Sequence, residues 1–271
     1  MSDPRRLLVA GDVHGNIRWI RALCDIAHAH ECDTILQLGD FGYWPHYPDG
    51  PRFLRSVSQQ AERVGITVYW IDGNHENHDA IAALKPGPAG FVEVSPRCLY
   101  IPRGHRWTWR GVRFGALGGA FSIDWRDRTP GKSWWPQEIT TQADVETLGD
   151  EALDVLVSHE APADVPLTGF RLPAEDQVRT DEVRELVRDA VRATQPKLVL
   201  HGHWHRRNSC EVAWPVEENG DLAWRSARVE GLAADVQGDL DAWGVLELEP
   251  LAFFGGETFR DDERQPRVGD H

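Results

Sequence analysis

Short apolar runs that stop at a glycine and an acidic residue recur along the first seventy positions. Residues 7–10 form such a run, ending at Gly11 and Asp12, and from Asn16 onward apolar side chains return at Ile17, Ile20, Leu23, Cys24 and Ala27. The first pattern predicts a strand and the second one face of a helix. The cycle repeats: residues 34–38 predict a strand ending at Gly39 and Asp40, Phe53, Leu54, Val57, Ala61 and Val64 mark a helix, and residues 66–71 predict a third strand. Strands alternating with helices imply right-handed crossovers and a sheet with a parallel core.

From Cys98 to Leu117 the period shortens to two. Residues 99–101, 105–109 and 112–116 predict short strands, the last two joined at Arg110 and Gly111 as an antiparallel hairpin. Residues 121–138 carry Pro130, Gly131 and Pro136 among Trp125, Trp134 and Trp135, which predicts a long irregular loop of the kind that often carries function. Strands are expected at 154–157 and 197–200 around a helix over 180–193, and strand-like alternation returns at 222–229 and 243–248. No repeat or low-complexity linker interrupts residues 7–250, so a single α/β domain is expected over 1–254. The glycine-rich, charged residues 255–271 predict a flexible tail.

Composition narrows the function. With 29 basic and 43 acidic residues the net charge is −14, which disfavours non-specific binding to nucleic acid or to an anionic membrane. No apolar run is long enough to span a bilayer, and the polar start at residues 1–6 lacks the core of a signal peptide, so a cytoplasmic location is expected. Cys24, Cys32, Cys98 and Cys210 form no C-x-x-C pair and predict reduced core thiols.

Five predicted strands end in metal-ligand chemistry: Asp12 and His14, Asp40, Asn74 and His75, His159, and His203 with His205. Taken singly, Asp12 or Asn74 can serve a turn, His159 can be a hydrogen-bonded structural histidine, and His201, His203 and His205 can be a fortuitous tract. Together they would have to end five separate strands by coincidence, whereas the carboxyl ends of parallel strands gather at one rim, where ligands bind. Imidazole nitrogens mixed with carboxylate and amide oxygens suit Mn, Fe, Co, Ni or Zn better than Ca²⁺ or a thiolate-bound zinc. Seven ligands exceed one tetrahedral ion and fit two ions bridged by one carboxylate.

These residues resemble the calcineurin-like metallophosphoesterases, whose pattern D-x-H, G-D, G-N-H-[D/E], a separate His and G-H-x-H reads here as Asp12-Val13-His14, Gly39-Asp40, Gly73-Asn74-His75-Glu76, His159 and Gly202-His203-Trp204-His205. The resemblance implies a four-layer α/β/β/α sandwich of two mixed sheets flanked by helices. It implies one metal on Asp12, His14 and His205, a second on Asn74, His159 and His203, and Asp40 bridging both, with a metal-bridging hydroxide attacking phosphorus. His75 would then act as general acid or help hold phosphate, with Glu76 orienting its imidazole, and His201 would supply an outer hydrogen bond. Two divalent ions are expected as cofactors, with Mn favoured for activity in vitro.

The substrate is less constrained, because fold and metal core do not select it. The stretch after Asp40 lacks the Asp-Arg-Gly of the family's protein phosphatases, and the charge disfavours a nuclease. Tyr43, Trp44, Trp204 and Trp125 are candidate substrate contacts, since aromatic faces near a phosphate clamp stack bases at ~1–3 kcal/mol each; packing is their alternative role. Arg126, Arg128 and Lys132 either contact phosphate or are solvated, solvation being the favoured reading. The expectation is a phosphodiesterase for a small, nucleotide-like and potentially cyclic ester. A phosphomonoesterase or protein Ser/Thr-type phosphatase, or a non-catalytic nucleotide-binding module, are the alternatives.

Overall fold

In the computed structural model, which describes residues 3–167, 169, 171–218, 220–235 and 240–259, each of the first three apolar runs is a strand. They are β1 (Arg6–Ala10), β2 (Thr34–Gln37) and β3 (Thr67–Trp70), separated by α1 (Ile17–Ala29) and α2 (Gly50–Val64). Asn16 caps α1 by accepting the backbone N–H groups of Arg18 and Trp19, and α2 stops at Gly65, whose φ of 78° places it in the left-handed region that glycine adopts freely. The chain continues through α3 (His78–Ala82), β4 (Val92–Ser95), β5 (Cys98–Tyr100), β6 (Arg106–Trp109), β7 (Val112–Leu117), α4 (Gln142–Leu148) and β8 (Val155–Ser158). It closes with α5 (Ala174–Thr194), β9 (Leu198–His201), β10 (Asn208–Glu218), β11 (Asp221–Gly231), β12 (Trp243–Leu248) and β13 (Leu251–Gly255).

Two sheets result, one ordered β13-β12-β1-β2-β3-β5-β4 and the other β10-β11-β9-β8-β7-β6. Each has a parallel centre, β1-β2-β3-β5 in the first and β7-β8-β9-β11 in the second, with antiparallel strands at the edges. Three apolar cores separate the layers. Leu23, Val57 and Trp70 belong to the core between the first sheet and α1 and α2, Leu36, Ile71 and Phe114 to the one between the sheets, and Leu156, Val187 and Trp214 to the one under α4 and α5. The architecture is therefore the α/β/β/α sandwich.

Several elements exceed the sequence reading. Helix α5 begins at Ala174 rather than 180, because its first turns, Ala-Glu-Asp-Gln-Val-Arg, are largely polar and show no apolar period. Strand β10 contains Pro215, which is tolerated because β10 lies at the edge of its sheet. Gly255 ends β13, and residues 256–259 form a 3-10 turn whose Phe259 ring stacks on Trp243 at 5.7 Å between centroids. The rest of the expected tail, 260–271, lies outside the described residues. Cys24, Cys32 and Cys98 are free and buried, with thiols pushed up to about 12 by burial. No helix among the described residues is long and apolar enough to cross a membrane.

Candidate metal centre

Strand register sets the site. Ala10, Gln37 and Trp70 stand side by side across β1, β2 and β3, so the segments carrying Asp12 and His14, Asp40, and Asn74 and His75 leave the sheet at one level. In the other sheet Val157 of β8 pairs with Leu200 of β9, which brings His159 level with His203 and His205. Asp12, Asp40, Asn74 and His159 are buried, whereas His14 and His205 face the opening.

One group is compact: donor atoms of Asp12, His14, Asp40 and His205 lie within 4.8 Å of one another. His205 Nε2 is 2.9 Å from Asp12 Oδ2 and 3.2 Å from His14 Nε2. The other group surrounds His159, whose Nε2 is 3.1 Å from Asn74 Oδ1 and 3.5 Å from Asp40 Oδ1, with the His203 ring 5.1 Å away between centroids. Asp40 is thus the carboxylate common to both groups. His159 Nδ1 donates to the Leu38 carbonyl at 2.7 Å, which turns Nε2 inward.

Backbone strain accompanies the convergence. His14, Asp40, His203 and His205 all have positive φ, 49°, 52°, 67° and 52°, and such conformations persist for non-glycine residues only where the surroundings impose them. The glycines of the motifs are spatially required: a Cβ on Gly39, at φ 97°, would lie 2.3 Å from His159 Nδ1, and one on Gly73 would lie 2.2 Å from Asp40 Oδ1.

The electrostatics fit a cation. Burial alone would raise the Asp12 and Asp40 carboxyls, yet His205 beside Asp12 and His159 beside Asp40 hold both below the ordinary range, Asp40 well below it. Burial disfavours charge on His159, but the Asp40 carboxylate outweighs it and pushes the imidazole up to about 10. Burial and the His159 charge push His203 down to about 3. Asp12 Oδ2 is fully buried and meets only imidazole nitrogens, His205 Nε2 at 2.9 Å and His14 Nε2 at 3.7 Å. Two buried carboxylates, an amide oxygen and four imidazoles converging on one cleft therefore fit divalent ions with mixed N and O preference.

The family model for calcineurin-like phosphoesterases matches residues 5–207, a span that contains every one of these donors. The chain belongs to that family. As such it is a metal-dependent phosphoesterase. Among solved structures, the phosphoesterase resembles TT1561 of Thermus thermophilus at 13% identity and a TM-score of 0.53, covering 93% of this chain and 98% of the other. It also resembles a dimetal phosphatase from Danio rerio at 12% identity and a TM-score of 0.54, covering 93% and 96%. At these identities the likeness concerns the fold. No protein of curated function matches the chain.

Several expected contacts of the phosphoesterase differ in the structure. Glu76 does not orient His75: it is buried and accepts the backbone N–H groups of Gly42 at 3.1 Å and Gly73 at 2.7 Å, pinning two motif turns together. Burial and the Asp40 charge push its carboxyl up to about 8. Asp124 faces His75 instead, 4.0 Å from Nε2. His201 Nδ1 donates to the Gly202 carbonyl at 3.0 Å, a backbone contact beside His203. Tyr43 lies in the core against Trp70 and serves packing, whereas Trp125 is half-buried, with Arg126 and Arg179 4.7 and 5.0 Å from its ring. Trp204 lines a cavity of about 480 Å³ over the centre with His75, Ile123, Asp124 and Leu172. Trp44 lines a neighbouring cavity and donates to the His75 carbonyl at 2.9 Å.

Two residues were not legible as site residues. Arg128 is nearly buried rather than solvated: it donates to the Asn74 carbonyl at 3.3 Å and pairs with buried Glu138 at 2.7 Å. Glu160 directly follows His159 and is fully buried, with Oε2 3.5 Å from His203 Nε2. An acidic residue beside a metal-ligand histidine was the available signal for it.

Proposed function

We propose that the chain is a two-metal phosphodiesterase for a small, nucleotide-like ester, active with Mn²⁺ and located in the cytoplasm. The observation that supports this reading is the division of seven donors into two groups that share Asp40 beneath one apolar-walled cavity. Two bound divalent ions would supply charge neutralisation on the phosphoryl oxygens and an activated water for in-line attack. Asp12, His14 and His205 would hold one ion, Asn74, His159 and His203 the other, and Asp40 both. As the P–O bond to the leaving group breaks, His75 would meet the departing oxygen and give it a proton; burial lowers its imidazole, which makes the ring a readier proton donor, while the nearby Asp40 and Asp124 carboxylates oppose that shift. Ile123, 56% exposed, Leu172 and Trp204 offer an ester substituent an apolar wall.

A phosphomonoesterase is the second reading, favoured by the likeness to the dimetal phosphatase from Danio rerio. Phe41, immediately after Asp40, is buried on Trp70 with ring planes 14° apart and offers no phosphate grip. The test is hydrolysis of a bis-aryl phosphodiester and an aryl phosphomonoester by chelator-stripped protein reloaded with Mn²⁺, with Asp40→Ala as control. Metal-dependent cleavage of the diester, absent in the variant, is expected. Faster monoester turnover would give the second reading, and nucleotide binding without turnover of either ester would indicate a non-catalytic module.

A further inference from the structure

A second cavity, of about 930 Å³, opens on the far side of His14, between the N-terminal end of α1 and the segment joining β2 to α2. His14 lines it and also belongs to the compact donor group, so this cavity borders the metal centre. Four cations line it: Arg18 and Arg21 from α1, Arg52 from α2 and Lys132 from loop 121–138, all exposed. None of their side chains has an ion pair or hydrogen bond among the described residues. Other cations of the chain are closely paired, among them Arg126 with Glu175 and Asp176, Arg128 with Glu138 and Arg207 with Glu230. In a chain of net charge −14, where carboxylates outnumber cations, four unpaired cations around one groove are a local reversal of sign. Asp49 is the one carboxylate in that lining.

The groove also has an aromatic wall. Trp44 and Tyr47 meet edge to face, 5.2 Å between ring centroids, and Tyr47 remains 42% exposed. The Tyr47 hydroxyl donates to the Lys132 carbonyl at 2.6 Å, fixing the loop that carries Lys132 against the wall. The N-terminal end of α1 adds the partial positive charge of its dipole.

We propose that this groove binds the non-scissile phosphates of a nucleoside polyphosphate, with the base against Trp44 and Tyr47 and the scissile phosphate beside His14. This rests on the hydrolytic reading of the metal centre for its catalytic meaning, though the binding itself does not. Guanidinium groups suit successive phosphates because they donate in pairs, and an aromatic face accepts any base. Four cations and a groove of this size match a short phosphate chain rather than a nucleic-acid strand.

The test is calorimetric titration of chelator-treated protein, without divalent ions, using inorganic tripolyphosphate and ATP as probes. Both are expected to bind. The double variant Arg18→Gln/Arg52→Gln should weaken both by roughly tenfold or more, whereas Arg55→Gln/Lys85→Gln, the same charge change outside the groove, should weaken neither. Trp44→Ala should weaken ATP and leave tripolyphosphate unchanged. Absence of tripolyphosphate binding, equal losses in the two double variants, or tighter binding of a short single-stranded oligonucleotide than of ATP would overturn the proposal. Failure of the wild-type protein to hydrolyse either aryl ester would instead remove the hydrolytic reading and leave the groove result standing.

Discussion

The two nitrogens of the His203 ring meet different surroundings. Nε2 faces the fully buried Glu160, whose other oxygen accepts Trp204 Nε1 at 2.6 Å and the Ala161 N–H at 2.7 Å. At 3.5 Å, Glu160 Oε2 is placed to take a proton from Nε2 on a small approach, which would leave Nδ1 as the metal-binding nitrogen, the arrangement in which an outer carboxylate orients a metal-binding histidine. Glu160→Gln should lower affinity for the ion held by Asn74, His159 and His203 by about 10- to 100-fold without unfolding the chain. Competition with a chromogenic chelator reads this directly, and an affinity equal to that of the wild-type protein would remove Glu160 from the role. His78 carries a different burden, because burial pushes its imidazole down to about 4. The unfolded chain takes up that proton below about 6.5 and the folded chain does not, so stability falls as pH drops from about 6.5 towards 4. Between pH 7 and pH 5 this costs about 2 kcal/mol. Urea unfolding in chelator should show a smaller loss over that interval for His78→Gln, and an identical loss would assign the acid limb to other groups.

At the scale of elements, loop 121–138 is irregular in backbone and closely braced by side chains. Arg126 grips Asp176 of α5 at 2.8 Å, and Arg128 ties Asn74 and Ser133 carbonyls to buried Glu138. Arg128→Gln would strand the Glu138 carboxylate, and losing one partner of a buried pair costs about 3–5 kcal/mol. Hydrogen exchange should then show lost protection across 121–138 and the turn after β3, with β8 and β9 unchanged; uniform protection would mean that the loop holds itself. These braces mark where sequence reading stops. The strand ends were legible because apolar runs stop at ligands, and a parallel sheet turns that order into a rim. Glu76, Tyr43 and Arg128 were not, because adjacency along the chain does not specify the direction in which a side chain leaves a turn. Glu76 turns towards the Gly42 and Gly73 amides, and Tyr43 turns into the core beside Phe41. Strands β4, β10 and β13 were missed because edge positions relax the alternation that buried strands need.

For the molecule as a whole, the metal centre is where the two sheets converge, so occupancy and global stability should be coupled. The rim takes strands from both sheets and holds the carboxylates of Asp12 and Asp40 fully buried, with Glu76 behind them, in a chain whose net charge is already −14. Cations bound there would join β1, β2 and β3 of one sheet to β8 and β9 of the other and relieve the repulsion between those carboxylates. An ion that binds only the folded chain stabilises it by RT ln(1 + [L]/Kd), about 2.7 kcal/mol at a hundredfold excess over Kd. For a domain of this size, each kcal/mol moves the melting temperature by roughly 2–4 °C. Chelation should therefore lower Tm by about 5–10 °C, and Mn²⁺ should restore it, followed by fluorescence of the 12 tryptophans. Asp40→Ala removes the carboxylate common to both donor groups and should abolish most of the metal-dependent shift. If the variant retained the full shift, the stabilising ion would bind outside the rim, and the coupling between sheets would have to come from packing alone.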